Sequence, residues 1–230
     1  MLKIKDILVN HYTEPLGYDL DNHLRIEFSA EASQISSNIQ KRITIDANEP
    51  IFDSQWQQYD NNYFDFKLEL KPRTRYDVTV WLKSADTQTS EKSFFETGKM
   101  NEPFTAEWIG NQDKNIQNTL LKKEFTVPKE VVNARLYISG LGVYEAYLNK
   151  QKIGDEFLTP GVTAYDKLVQ IQTYDVTAML AEKSQQELLI SLGDGWYKGN
   201  FGFDGGKDCI YGDQQMAIAE LHIVGSVRCV

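Results

Sequence analysis

Apolar and polar residues alternate over several stretches of the chain, which is the pattern of β-strands that bury one face. The clearest stretches are residues 24–28, 63–70, 76–82, 136–138 and 217–224. Clusters of Asn, Asp, Pro and Gly separate them and favour turns. Helical periodicity is scarce, although residues 175–180 are suited to one short turn capped by Asp175. The pattern predicts an all-β protein built of β-sandwiches.

A polar segment at residues 97–103 separates two strand-rich regions of the chain. It contains Gly98 and Pro103, and segments of this composition commonly connect domains. We therefore predict two β domains, at residues 1–98 and 104–230. With 230 residues in all, each domain is long enough to bury a core of its own.

The first domain contains a Leu-x-Pro-x-Thr-x-Tyr motif formed by Leu70, Pro72, Thr74 and Tyr76, which leads into an alternating strand. This motif resembles the fibronectin type III module, an immunoglobulin-like sandwich. The resemblance implies that Tyr76 lies at a corner of the sandwich, where its hydroxyl bonds to nearby backbone. No chemistry is assigned to this domain, which we interpret as a spacer or docking module.

The charge balance of the chain limits its partners. It carries 24 Lys and Arg against 33 Asp and Glu, a formal net charge of −9. This balance argues against nucleic acid and anionic membrane surfaces as partners.

The sequence shows neither a signal peptide nor an apolar run of membrane-spanning length, so we expect a cytoplasmic protein. Two thiols, Cys209 and Cys229, are too few for a zinc site, and we expect both to stay reduced.

The second half of the chain contains seven short motifs. They lie at residues 106–110, 121–127, 134–149, 154–155, 158–165, 172–177 and 192–197. In order and spacing they resemble the N-terminal region of bacterial α-L-rhamnosidases of glycoside hydrolase family 78. The fibronectin-like module ahead of them also agrees with the domain order of that family. The resemblance implies a jelly-roll-like sandwich for residues 104–230.

The same resemblance implies that catalysis belongs to a downstream (α/α)₆ barrel, in which two carboxylic acids invert the anomeric centre. The chain stops at Val230 without the helix-periodic sequence that such a barrel needs. We therefore expect a fragment, truncated in its second domain and inactive alone. The residues contain no Ser-His-Asp order, nucleophile elbow or phosphate-binding glycine loop. We assign no catalytic residue and no required cofactor.

Glycines, aromatic residues and carboxylates are crowded into residues 191–208. The resemblance implies that this type of sandwich can bind carbohydrate, in some relatives L-rhamnose with the help of calcium. Aromatic rings pack on the apolar faces of sugars, while Asp and Asn bind hydroxyls. We consider Trp196, Tyr197 and Asn200 as sugar contacts, and Asp204 with Asn200 as calcium ligands. The alternative is that Trp196 packs in the core and the glycines only form turns.

Asn149 and Asp155 form a second candidate rim for carbohydrate, beside a predicted hairpin. The family usually has Asn-Gly at this turn, which suits a type I′ geometry with positive φ at both central residues. Here Lys150 follows Asn149. Because a lysine tolerates positive φ poorly, we expect a longer turn or a turn of another type.

Three functions remain open at this point. The chain is a structural region that supports the catalytic domain of a rhamnosidase, a calcium-assisted L-rhamnose-binding module, or a protein-interaction module. Rings of Trp196 and Tyr197 that face solvent at a concave rim would favour sugar binding. Rings buried in the core would favour the structural role, and a large exposed apolar patch would favour protein interaction.

Overall fold

The computed structural model describes residues 2–19, 22–32, 38–127, 131–180 and 184–224. The chain divides into two compact units, Met1–Pro103 and Phe104–Val230. This division falls at the end of the polar segment at residues 97–103, beside the bounds that the sequence predicts.

The first unit is a β-sandwich of two antiparallel sheets. Its strands are β1 (Leu2–Val9), β2 (His23–Ala32), β3 (Gln40–Asp46), β4 (Pro50–Asp53), β5 (Gln57–Gln58), β6 (Tyr63–Lys67), β7 (Arg75–Lys83) and β8 (Gln88–Glu96). One sheet has the order β1-β2-β6, and the other has the order β4-β3-β7-β8 with β5 also paired to β3. This arrangement is a fibronectin III-like sandwich, as the sequence predicts.

The core of the first unit is built from alternate residues of facing strands. Leu24, Ile26, Ile43 and Val80 are 0% exposed and belong to one apolar cluster. This burial follows from the period-2 pattern, because successive side chains of a strand point to opposite faces of its sheet.

The tyrosine corner that the sequence predicts is present. The backbone N–H of Lys71 donates to the Tyr76 hydroxyl at 2.7 Å, while the Tyr76 ring stacks on Phe95 with 4.8 Å between ring centroids. The hydroxyl thus satisfies a backbone donor at the edge of an apolar core. The role assigned to Tyr76 is confirmed.

The second unit is a jelly-roll-like sandwich of two antiparallel four-stranded sheets. Its strands are β9 (Ile109–Gly110), β10 (Asn118–Thr126), β11 (Asn133–Leu141), β12 (Val143–Leu148), β13 (Gln151–Lys152), β14 (Gln172–Asp175), β15 (Gln185–Gly193) and β16 (Met216–Val224). The sheet orders are β10-β15-β12-β13 and β14-β11-β16-β9. Residues from both sheets, including Leu136, Leu148 and Leu192, form the apolar core between them.

Among the described residues of the second unit, two short helices interrupt the strands, α1 (Thr177–Leu180) and α2 (Gly195–Lys198). The sequence predicts α1, and the backbone N–H of Thr177 donates to Asp175 Oδ1 at 2.9 Å. The sequence does not predict α2, since a four-residue helix that starts with glycine leaves no periodic signal. The all-β class is confirmed.

Two further features bear on the sequence-based expectations. No helix within the described ranges has both the length and the apolarity to span a membrane. Cys209 is exposed, whereas Cys229 lies outside the described residues.

Candidate functional site

The candidate site begins where β15 ends and α2 carries Trp196 and Tyr197 away from the sheet. Both side chains are half-buried. Gly195, at the start of the helix, has φ +52°, and a Cβ at this position would lie 2.9 Å from the backbone of Gly142. Glycine is therefore required here, because α2 packs directly on the turn between β11 and β12.

A polar network anchors α2 to its surroundings. Asp194 Oδ1 lies 3.0 Å from Lys198 Nζ and accepts a hydrogen bond of 2.5 Å from Gln215 Nε2. Lys198 Nζ also donates to the carbonyl oxygen of Ile116 at 2.8 Å. These side chains are mostly buried and bonded to one another, so the network fixes the position of the helix.

An aromatic cluster joins α2 to two long loops. The Tyr165 ring meets Tyr197 edge-on with 5.3 Å between centroids and lies 5.2 Å from the ring of Tyr211. A Cβ on Gly212 would lie 2.3 Å from the Tyr197 hydroxyl oxygen. Tyr197 is thus wedged between Tyr165 and the backbone of Gly212 and contributes to packing.

The loop after α2 carries the remaining predicted residues of the first rim. Asn200 is exposed, and its side-chain amide donates to the carbonyl oxygen of Gly205 at 2.9 Å. Asp204 is exposed and has φ +51°. Phe203, between them, is 99% exposed. Across the described ranges, no three or more His, Cys, Asp and Glu side chains are grouped as ligands for a metal ion.

The hairpin at Asn149 corrects one expectation. Leu148 pairs directly with Gln151, and Asn149 and Lys150 have φ of +52° and +72°. The connection is therefore a two-residue turn with positive φ at both central residues, as type I′ requires. The prediction of a longer turn or another type was wrong, because the pairing of β12 with β13 imposes this conformation on Lys150 despite its Cβ.

The Asn149 side chain is used to brace the sheet. Its amide nitrogen donates to Gln186 Oε1 at 2.5 Å and to the carbonyl oxygen of Met179 at 3.2 Å. Its amide oxygen accepts from the backbone N–H of Glu187 at 3.1 Å. Three internal hydrogen bonds occupy most of the bonding capacity of this amide.

The two predicted rims do not converge at Asn149. β12 pairs with β15 from Val143 opposite Gly193 to Leu148 opposite Leu188. Asn149 therefore follows one end of this ladder and Trp196 follows the other, about 16 Å apart at the usual rise per residue of a strand. Asp155 lies between these ends on the segment after β13 and is exposed.

A group of phenols lies beside the Asp155 segment. The Tyr144 hydroxyl donates to Gln172 Oε1 at 2.8 Å, and the Tyr174 hydroxyl donates to Glu156 Oε2 at 3.3 Å. Burial raises the pKa of Tyr144 above its usual range, and it raises the pKa of Tyr174 to about 12. Both phenols therefore stay protonated at neutral pH and serve as hydrogen-bond donors.

Several residues of this region have no role assigned by sequence reasoning. Tyr165 and Tyr211 organise the aromatic cluster, and Phe203 is the most exposed large apolar side chain of the described residues. Tyr165 belongs to one of the seven motifs, which was the available signal. Nothing local in the sequence connects Tyr165 with Tyr197, since their contact depends on two distant loops.

Comparison with known proteins gives a family match within the second unit and relatives that match both units. Residues 129–226 match the family described as "Alpha-L-rhamnosidase N-terminal domain". A curated α-L-rhamnosidase from Alteromonas sp. (strain LOR) is 30% identical across 86% of this chain and 24% of its own length. The chain spans between 10% and 24% of the length of the curated relatives it matches.

Solved structures show the same fold. An α-L-rhamnosidase from Aspergillus terreus matches with a TM-score of 0.79 and 24% identity, over 100% of this chain and 28% of its own. The Streptomyces avermitilis α-L-rhamnosidase, complexed with L-rhamnose, matches with a TM-score of 0.82 and 18% identity, over 97% of this chain and 39% of its own. The family match and the Alteromonas relative show that the chain belongs to the α-L-rhamnosidase family and corresponds to its N-terminal region.

Proposed function

We propose that this chain is a non-catalytic region of an α-L-rhamnosidase that supports and orients a catalytic domain. The observation that carries this proposal is the position of Tyr197, which is half-buried and packs between Tyr165 and Gly212. Asn149 is likewise committed to internal hydrogen bonds. Residues that the sequence suggests for sugar contacts thus contribute to the architecture of the sandwich.

Two loops of the second unit carry exposed large apolar side chains, which we call the loop surface and which support a docking role. Tyr165 and Tyr211 join the two loops that carry its side chains. The members are Phe157 (78% exposed), Leu158 (58%), Val162 (50%), Leu168 (61%), Phe203 (99%) and Ile210 (46%). Groups of large apolar side chains that are exposed to solvent commonly mark an interaction site. We propose that this loop surface packs on a further part of the rhamnosidase.

A domain exchange tests the supporting role. The matching region of the Alteromonas enzyme is replaced by this chain, and a second variant lacks the region altogether. We expect the exchanged enzyme to keep a higher melting temperature and more rhamnosidase activity than the deletion variant. Equal melting temperatures and equal activities of the exchanged enzyme and the deletion variant would contradict the proposal. The double substitution Phe203→Ser with Ile210→Ser should lower the melting temperature and the activity of the exchanged enzyme toward those of the deletion variant. The control Ile51→Ser in the first unit should leave both unchanged.

The non-catalytic part of the proposal has its own assay. The purified chain is incubated with p-nitrophenyl α-L-rhamnoside, and release of nitrophenol is compared with a blank. We expect no release above the blank, because the resemblance to family 78 rhamnosidases assigns the two catalytic carboxylic acids to a downstream barrel. Release that scales with the concentration of the chain would overturn this part.

A second candidate function is calcium-assisted binding of L-rhamnose at the loop after α2. The specific observation is that Phe203 is 99% exposed in the same loop as the exposed residues Asn200 and Asp204. An exposed ring beside carboxylate and amide oxygens suits a sugar, and such oxygens also suit calcium. The complex of the Streptomyces avermitilis relative with L-rhamnose is consistent with this chemistry.

Titration with L-rhamnose, followed by NMR first in calcium and then in EDTA, tests this second function. Saturable shifts at the Trp196 indole and at residues 200–205 that disappear in EDTA would support it. Asp204→Asn should weaken the response, whereas Asp208→Asn, another exposed carboxylate of the same loop, should leave it unchanged. If roughly 50 mM L-rhamnose causes no shifts, any dissociation constant lies above the millimolar range, and this second function is excluded.

A further inference from the structure

The first unit contains a cleft that sequence reasoning did not single out. It has a volume of about 450 Å³ and lies between β6, the outer strand of one sheet, and β4 and β5 at the edge of the other. Its lining combines the phenylalanines Phe52 and Phe66 with Asp, Asn, Gln and Ser side chains. Clefts of about 300–1,000 Å³ have the size of small-molecule sites.

One wall of the cleft is held in place by the buried Lys41. Its side chain is 4% exposed, and its ammonium group donates to Asn61 Oδ1 at 2.5 Å and to the carbonyl oxygen of Tyr63 at 2.8 Å. It also lies 3.3 Å from Asp60 Oδ1 and 4.9 Å from the centroid of the Phe64 ring. The turn that carries Asp60 and Asn61 is therefore fixed before any ligand binds.

Asp53, another lining residue, is fixed by a bidentate ion pair. Arg42 donates to both carboxylate oxygens of Asp53, at 2.8 Å and 2.5 Å. Asp53 Oδ1 also accepts from the backbone N–H of Gln55 at 2.9 Å, and Gln57 Nε2 donates to the carbonyl oxygen of Ser54 at 3.1 Å. These contacts hold the segment from Asp53 to Gln57 in one conformation.

The charges that line the cleft are compensated within the unit. Asp53 pairs with Arg42, Asp60 with Lys41, and Asp65 with His23 and Arg25. Each carboxylate keeps lone pairs beyond those its cation uses, since an ionised carboxylate can accept about four hydrogen bonds. Fixed acceptors whose charge is already balanced suit a neutral ligand rich in hydroxyl groups better than an ion.

Two phenylalanines of the lining contribute apolar surface. The rings of Phe52 and Phe66 stack with 4.2 Å between centroids and 5° between planes, and both side chains are half-buried. Aromatic groups of this kind pack against the C–H faces of sugar rings. We propose that this cleft binds a neutral saccharide through the oxygens and amides of Asp60, Asn61 and Gln57 and the rings of Phe52 and Phe66.

Titration of the whole chain with L-rhamnose, D-glucose and D-glucuronate, followed by two-dimensional NMR, tests this site. We expect saturable shifts of the backbone amides of the lining residues between Phe52 and Phe66 with at least one neutral sugar. The Trp196 indole reports independently on the second unit. A failure of the cleft to bind sugar can therefore be distinguished from a failure of the candidate rhamnose site after α2.

Paired variants make the assignment specific. Gln57→Ala with Asp60→Asn should weaken neutral-sugar binding about tenfold, the effect of losing one or two hydrogen bonds to charged or amide groups. The control Gln88→Ala changes an exposed glutamine on β8. Shifts confined to D-glucuronate, shifts only in the second unit, or no shifts up to roughly 50 mM, beyond millimolar affinity, would overturn the proposal.

Discussion

Glu220 carries a carboxylate that is 0% exposed in the second unit. Its Oε1 atom accepts hydrogen bonds from the backbone N–H of Thr105, from the Thr105 hydroxyl at 2.9 Å and from the backbone N–H of Ala106 at 2.9 Å. His222 Nε2 lies 3.2 Å from its other oxygen. A charge this deep is tolerated because several donors surround it. Glu220 thereby fastens the segment before β9 to β16.

Replacing Glu220 tests this fastening. Glu220→Ala leaves two backbone donors without their acceptor, so we expect the second unit to lose about 2–4 kcal/mol of unfolding free energy. Glu220→Gln keeps an oxygen that can accept, and should cost less. Urea unfolding followed at the Trp196 indole measures both. A loss in Glu220→Ala no greater than that of Glu107→Ala, an exposed carboxylate, would contradict the role.

Tyr76 offers a residue-scale prediction in the first unit. Tyr76→Phe keeps the ring stacked on Phe95 but removes the acceptor of the Lys71 N–H. We expect a loss of about 1–2 kcal/mol, the cost of leaving a partly buried donor unsatisfied. The measurement is urea unfolding at the Trp81 indole. Tyr12→Phe, at a side chain 64% exposed, is the control, and an equal effect of the two would refute the corner role.

These residues differ in how far sequence could predict them. Tyr76 belongs to a local motif, and its partner Lys71 lies within that motif. Glu220 sits in an alternating strand, where the pattern reports only which positions face inward. Its partners Thr105 and Ala106 are distant in the sequence. Local patterns therefore predict local hydrogen bonds, whereas a buried carboxylate is explained only by the folded surroundings.

At the scale of elements, the strands follow the hydrophobic pattern and the connections do not. Residues 76–82 and 136–138 lie within β7 and β11 as predicted. The predicted strand at residues 63–70 ends earlier, at Lys67. The alternation of apolar and polar residues involves only neighbouring positions, so it can be read directly from the sequence. The turn at Asn149 and Lys150 is imposed by strands that pair on either side of it.

The strained turn provides a prediction. Lys150→Gly should stabilise the second unit by about 1 kcal/mol, because glycine adopts the observed φ of +72° without a steric cost. Lys150→Ala keeps the Cβ and is the matched control, with no such gain expected. Unfolding free energies from urea titration compare the three proteins. If the glycine and alanine variants are equally stable, the turn is not strained at this position.

At the scale of the whole molecule, each unit has an apolar cluster of its own. The cluster of the first unit runs from Ile4 to Phe95 among its buried residues, and that of the second from Val127 to Ile223. A compact region with its own core can in principle fold alone. The two units are therefore expected to behave as separate folding domains.

Cutting the chain at the division tests this expectation. We expect residues 1–103 alone to give a dispersed two-dimensional NMR spectrum that overlays the first-unit signals of the whole chain. Residues 1–90, which lack Phe95 and six of the nine residues of β8, should not fold, because Phe95 is 0% exposed and packs on Tyr76. A collapsed spectrum for residues 1–103 would show that the first unit depends on the second.

The sequence by itself determined the all-β class, most strand positions, the tyrosine corner and the relation to α-L-rhamnosidases. Each depends on the order of residues or on the alternation of neighbours, which the chain carries directly. The tertiary structure decided that Tyr197 packs between loops, that Asn149 braces a sheet, and that Lys41 and Arg42 fix a cleft beside Phe52. These features arise from residues far apart in the chain, whose contacts exist only once the sheets have paired and packed.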